Sequence, residues 1–186
     1  MNPLHFALFG TPIGSCALVC GEHGLVRIFL PEADEAPRPG ASPRAFRRRT
    51  THDTRPSAEL QITMARIDGL LAGVHDNLTG VALDMTGVPA FHRRVYDIIR
   101  SSPPCSTLTC GEVATRLGEP HAARAVGQAL GANPFLIIVP CHHVLAAGDG
   151  VDGPSADGGL RSKLRLLQIE GTPLRGIPGL FDEISA

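Results

Sequence analysis

One cysteine in this chain is followed at once by two histidines, in Pro140-Cys141-His142-His143-Val144. A cysteine thiolate is a strong nucleophile, and a neighbouring imidazole can take its proton or lower its pKa. The chemistry open to such a pair is attack through sulfur, with a covalent product on Cys141. The competing reading is a small core cysteine with no chemistry at all. Ahead of it, the apolar run Phe135 to Val139 is far too short to span a membrane and is rich in β-branched residues. It reads as a buried strand whose end presents Cys141 at a fixed position.

Composition narrows the setting. The 186 residues suffice for one sizeable domain or two small ones, and 43% hydrophobic content supports a packed core. Formal net charge is −1, so bulk charge does not announce a nucleic-acid binder. Lys163 is the only lysine; the other cationic side chains are arginines. The cysteines are Cys16, Cys20, Cys105, Cys110 and Cys141, an odd count at irregular spacing, which is no disulfide framework. Cys16-x3-Cys20-x2-His23, with His5, hints at a metal, but two strand cysteines in an apolar hairpin explain it better. No signal peptide or membrane span is evident, so the expected setting is a reducing cytoplasm that keeps Cys141 usable.

Several elements must place that cysteine. Residues 4–30 alternate apolar runs with turn signals and predict a small antiparallel β unit. Residues 31–57, rich in Pro, Ala, Arg and acids, predict a long loop or partly disordered connector. Its Arg44 and Arg47-Arg48-Arg49 read more readily as a solvated charge run than as a phosphate contact. Ser57 is placed to cap a helix with apolar Leu60, Met64, Ile67 and Leu71, ended by Gly73. Leu83-Asp84-Met85 reads as a last strand of a first domain, 1–87. The second domain, 88–175, opens with an amphipathic helix marked by Phe91, Val95, Ile98 and Ile99, and a tail, 176–186, follows it.

Within the second domain, Thr109-Cys110-Gly111-Glu112 is a capping box opening a short helix. Gly118-Glu119-Pro120 is a tight turn, and a helix from about His121 to Gly131 completes a helix-turn-helix. That second helix buries Ala122, Val126, Ala129 and Leu130 on one face and sets His121, Arg124 and Gln128 on another. Ala123, Gly127 and Gly131 leave the outer face almost bare. A helix that reads base edges in the major groove carries several long polar side chains. A bare helix with one arginine suits close approach to a shallow groove, with Arg124 entering where a base has left the stack. Tight packing with Arg124 in solvent is the alternative.

Taken in order, Ala122-Ala123-Arg124-Ala125-Val126-Gly127, Asn133-Pro134, Pro140-Cys141-His142-His143-Val144, Gly158-Gly159-Leu160 and Glu170-Gly171 resemble the O6-alkylguanine-DNA alkyltransferase family. The resemblance covers about residues 88–171; Thr11-Pro12-Ile13-Gly14 and Gly24-Leu25 extend it loosely into the first domain. It implies an α+β chain: a small ribonuclease H-like sheet domain, then a winged helix-turn-helix-like domain. It also implies direct-reversal DNA repair. A damaged guanine is flipped from double-stranded DNA, approached from the minor groove, and its O6-alkyl group passes irreversibly to Cys141. O4-alkylthymine is a second candidate substrate.

By the same resemblance, His142 is the base, Glu170 orients it, and Asn133 braces the active-site turn. Arg124 is the finger, beside Ala123 and Gly127 at the DNA. Cys110, Val144, Asp157 and Gly158 line the guanine pocket, with backbone carbonyls of Cys141 and Val144 facing its amino group. No cofactor, metal or membrane is implied, and the protein is expected to act as a monomer on bacterial nucleoid DNA.

Three positions depart from the family pattern. His143 stands where that pattern has a structural arginine, which predicts altered packing rather than lost chemistry. Cys110 stands where a tyrosine is usual, and a thiol is too short and weak a donor to replace a phenol. The loop 149–157 is longer than usual and lacks an aromatic. Lost bulk predicts a roomier pocket for larger alkyl groups. Three other functions remain open on the residues alone: a lesion-binding homologue that does not react, a Cys-His hydrolase or acyltransferase unrelated to DNA, and a helix-turn-helix regulator. The first would lack the acceptor cysteine. The second would need an oxyanion hole and has no use for the bare helix. The third lacks polar readout residues.

Overall fold

The computed structural model describes residues 4–31, 51–52, 56–103, 106–145 and 159–172. The alternating runs at the start form strands β1 (His5–Thr11), β2 (Gly14–Gly21) and β3 (Gly24–Phe29), an antiparallel meander. A two-residue strand β4 (Thr51–His52) then pairs parallel to β1, giving the sheet order β3-β2-β1-β4. Part of the segment expected to be a loop is therefore strand; with only two residues it has too little periodicity to show in the sequence. Its arginine cluster, Arg44 to Arg49, lies outside the described residues.

The sheet carries helix α1 (Ala58–Leu71), whose Ser57 Oγ accepts from the Leu60 N–H at 3.3 Å as the cap the sequence announces. Leu60, Ile67, Leu70 and Leu71 are buried, and Cys16 and Leu18 belong to the same core. After the helix only Leu83 of Leu83-Asp84-Met85 bridges, parallel to Leu25. The backbones approach closely there: the Leu25 N–H reaches Ala82 O at 2.9 Å and the Asp84 N–H reaches Leu25 O at 2.8 Å.

Helix α2 (Ala90–Arg100), strand β5 (Leu108–Thr109), helices α3 (Cys110–Arg116) and α4 (Ala123–Gly131), strand β6 (Val144–Leu145) and helix α5 (Gly159–Ile169) follow. The Thr109/Glu112 capping box forms with both of its bonds. β5 and β6 pair in parallel, Leu108 opposite Val144, as a small sheet beside the helices. Two contacts fix the helix-turn-helix to α2. Arg94 ties to Glu119 at 2.7 Å and to Leu117 O at 2.8 Å, both at the turn between α3 and α4. The buried Tyr96 hydroxyl donates to Ala129 O in α4 at 2.9 Å.

The apolar run before Cys141 corrects the sequence reading. Phe135, Ile137, Ile138 and Val139 are buried as expected, but the run is a series of turns, not a strand. Ile137 takes φ +71°, a left-handed conformation that costs a β-branched residue dearly and breaks any strand. Just ahead of the run the chain meets the four-stranded sheet instead, where the Ile28 N–H of β3 donates to Pro134 O at 2.9 Å.

Gly24 is the position where the fold has no room. It sits at φ +118°, and a Cβ there would lie 2.5 Å from Ala82 O. Gly24→Ala is expected to cost about 2 kcal/mol or more of stability, read as a lower denaturation midpoint in urea.

Candidate active site

Asn133 builds the turn that carries Cys141. Its amide donates from Nδ2 to Val139 O at 3.0 Å, while its Oδ1 accepts from the Phe135 N–H at 2.9 Å. Both bonds are buried, and together they clamp the two ends of the apolar run. The chain then enters a 3-10 turn, Cys141–His143, directly after Pro140. The Cys141 N–H bonds Val139 O at 2.7 Å and the His143 N–H bonds Pro140 O at 2.9 Å. Cys141 is thus held by backbone on both sides and is half-buried.

The turn places His142 and His143 inside the protein, against Glu170 just past the end of α5. His142 Nε2 lies 2.9 Å from Glu170 Oε1, and His143 Nε2 bonds the other oxygen, Oε2. The two rings meet edge to face with centroids 4.5 Å apart. An ionised carboxylate only accepts, so each imidazole donates from Nε2, and in a neutral His142 that leaves Nδ1 as an acceptor. His142 Nδ1 is buried and has no hydrogen-bond partner among the described residues. Such an atom needs an explanation, and a proton-accepting role is one.

Charge states follow from these contacts. Burial pushes the Cys141 thiol pKa up; an Asn133 side-chain bond, the Lys163 charge and local N–H groups oppose it without cancelling it. Burial lowers His142 below 6.5, against the pull of Glu170. Burial also raises Glu170, but bonds and charges from both imidazoles outweigh it and bring the carboxyl to about 2. At neutral pH the row is thiol, neutral imidazole and carboxylate, the protonation states of a nucleophile awaiting a base.

Lys163 was noticed in the sequence only as the one lysine. It is buried in α5, and its ammonium donates to Val144 O at 2.5 Å. A lone lysine amid leucines, on the helix that ends just before Glu170, is the available signal. One lone pair of the Val144 carbonyl, assigned from the sequence to the guanine amino group, is therefore taken by Lys163. The Lys163 charge also lowers both Cys110 and Cys141, and burial pushes Cys110 up overall. Tyr96, the only tyrosine, had no sequence signal for its bond to α4.

The other predicted residues are placed as follows. Arg124 is exposed on α4, with Ala123 and Gly127 beside it, and Val126, Ala129 and Leu130 turned inward. Cys110 is half-buried at the first turn of α3. Asp157, Gly158 and the loop 149–157 lie outside the described residues. No helix among the described residues is long and apolar enough to cross a membrane.

The family model of the 6-O-methylguanine DNA methyltransferase DNA-binding domain matches residues 90–172. A methylated-DNA–protein-cysteine methyltransferase of Mycobacterium tuberculosis is 32% identical over 179 residues, 96% of this chain and 99% of the relative. One from Methanothermobacter thermautotrophicus is 31% identical over 165 residues, 89% of this chain and 84% of the relative. Among solved structures, the Mycobacterium tuberculosis O6-methylguanine methyltransferase superposes with a TM-score of 0.72 at 30% identity, covering 91% of this chain and 94% of that one. The Mycobacterium tuberculosis OGT in complex with DNA gives 0.69 at 30% identity, covering 90% and 93%. Fold and relatives agree on a class, the DNA-repair proteins that reverse alkyl damage directly. Within that class, the chain belongs to the methylated-DNA–protein-cysteine methyltransferase family.

Two measurements test the site's construction. Asn133→Ala strands the buried Phe135 N–H and removes one of the two donors on Val139 O, and is expected to cost about 2 kcal/mol or more in chemical denaturation. Asn133→Asp, which keeps the acceptor, should fall between. The second is pH dependence. Folded His142 binds its proton less readily than the usual 6.5, so acid favours the unfolded state as pH falls through that value. Glu170 is depressed from 4.5 to about 2, so its contribution is complete above 4.5 and is lost as pH falls between those values. Stability should therefore decline in two stages on acidification, and Glu170→Gln should abolish the lower one.

Proposed function

We propose that this protein accepts an alkyl group from O6 of guanine in double-stranded DNA onto Cys141, once per molecule. The observation that carries the reading is the buried row in which Glu170 occupies His142 Nε2 and leaves Nδ1 as a proton acceptor one residue from the thiol. Glu170 sets the tautomer, in the logic of a catalytic triad. His142 takes the Cys141 proton, directly or through one water. Sulfur then attacks the alkyl carbon; the S–C bond forms as the O6–C bond breaks. The departing guanine recovers a proton at N1, supplied by the imidazolium. The thioether has no route back to thiol, so the protein is consumed.

The bare outer face of α4 supports a DNA-facing role, with Arg124 as the finger that fills the space of the flipped base from the minor groove. Asn133 holds the turn and so the position of Cys141. Cys110, Val144, Asp157 and Gly158 are proposed pocket residues, and the missing bulk at Cys110 favours larger alkyl groups. The protein is proposed to work as a monomer, on nucleoid DNA in the cytoplasm. The presence of Cys141 speaks against a lesion binder that does not react.

Incubation with a duplex bearing O6-methylguanine should add one methyl mass per chain, mapped to the peptide of Cys141, and Cys141→Ala should remain unmodified. A bound duplex with no mass change would refute the reading. His142→Gln is expected to slow transfer by about 10²–10⁴-fold, the span usual for a lost general base. Because His142 titrates below 6.5, the wild-type rate should hold on acidification to about that pH and fall only beneath it. Arg124→Ala should slow repair of duplex DNA much more than reaction with a free O6-alkylguanine base.

A further inference from the structure

His143 gives the His142–Glu170 pair a third ligand. Among the described residues, His142, His143 and Glu170 are the group of histidine, cysteine or acidic side chains gathered closely enough to hold a metal ion, their ligand atoms all within 4.8 Å of one another. We propose that these three side chains bind one divalent transition-metal ion, of the cobalt-to-zinc series, and that the bound ion stops alkyl transfer. The second half rests on the function proposed above; the first does not.

The donor set fits. Two imidazole nitrogens and a carboxylate are a familiar zinc set, with water completing a tetrahedron. Ligand atoms around tetrahedral zinc stand about 3.3–3.5 Å apart, within reach of small side-chain adjustments from the present cluster. The site also has an entrance. A cleft between the end of α1 and the Cys141–His143 turn is lined by His75, Asp76, Asn77, Pro140, His143 and Glu170, so solvent and ions reach the carboxylate without passing Cys141. Lys163 lies near His142, and Arg100 lines the cleft while donating to Val81 O. These cations oppose the ion and set its affinity below that of a closed four-ligand site.

The inhibition follows from tautomers. In the metal-free protein His142 donates from Nε2 and keeps its lone pair on Nδ1. An ion on Nε2 needs that lone pair, so the neutral ring must carry its proton on Nδ1 instead. His142 then presents a donor, where the thiol of Cys141 needs an acceptor. No net proton is released at His142; its proton moves from Nε2 to Nδ1 through solvent. The ion also makes His142 far less basic. A metal would thus disable the base without touching the nucleophile.

The test uses the full chain and metal alone. Zinc titration should show one site that Cys141→Ala retains and that His143→Gln and His143→Arg each weaken at least tenfold. Thermal melts confirm that the variants fold, and two dissimilar replacements guard against one failing. Cobalt bound at this site should show weak visible bands without the intense thiolate charge-transfer absorption. Saturating zinc should lower the wild-type transfer rate at least tenfold, reversibly with a chelator, while His143→Gln keeps its own metal-free rate at the same concentration. Equal binding in both His143 variants, or binding lost in Cys141→Ala, overturns the site. Tight binding at the site with an unchanged transfer rate overturns the inhibition. A metal-free protein that never alkylates counts against the proposed function, and the titration still decides the site.

Discussion

A carboxylate largely withdrawn from water needs donors, and each oxygen of Glu170 has an imidazole N–H. It sits just past the C-terminal end of α5, where the helix dipole presents partial negative charge and repels another anion. Burial adds to the cost. Two imidazole donors, one on each oxygen, reverse both penalties. Removing either would take a donor from a half-buried charge, which costs more than the bond itself is worth. This one requirement fixes the tautomer of His142, the depth of the 3-10 turn and the docking of α5. Cys141 takes its position from the same turn.

The four-stranded sheet contributes at a distance. β3 does not reach the cysteine, but its Ile28 N–H holds Pro134 O, the residue next to the Asn133 clamp. Gly24 lets the 81–85 segment lie against the same strand. The buried run therefore has one anchor in the sheet domain and one in Asn133, which is how a strained Ile137 persists. Strain of this kind survives only where neighbours over-determine the backbone. Beside Cys141 it serves position: a loose turn would let Cys141 drift from the His142 that is proposed as its base.

Much of this was legible in the sequence, because local rules and global fold agreed. The capping box at Thr109, the cap at Ser57 and the alternation in residues 4–30 each announce their element within a few residues. The short helix-turn-helix was readable from its breakers, and the bare face of α4 from its composition. The error at Phe135 to Val139 has a clear cause. A short apolar β-branched run says buried, but burial alone does not distinguish a strand from turns closed by a side chain, and Asn133 supplied the missing ladder bonds. β4 was too short to carry a period. His143 and Lys163 show the other limit. Their partners stand 27 and 19 residues away, so only tertiary structure could pair them.

The protonation pattern also explains why the thiol does not begin as a thiolate. A preformed thiolate at Cys141 would react with any soft electrophile it met, and in a protein that reacts once each such event destroys a molecule. Burial keeps the group protonated, while Asn133, Lys163 and nearby N–H groups stand ready to stabilise negative charge when it forms. The Lys163 ammonium is tethered to Val144 O rather than to the sulfur, so it lowers the cost of ionisation without fixing the ion. In the proposed mechanism neutral His142 is then the component that releases reactivity, and it does so only in the tautomer that Glu170 imposes. Anything that changes what sits on Nε2 changes what Nδ1 can do, which makes the carboxylate, more than the cysteine, the point at which this site is switched.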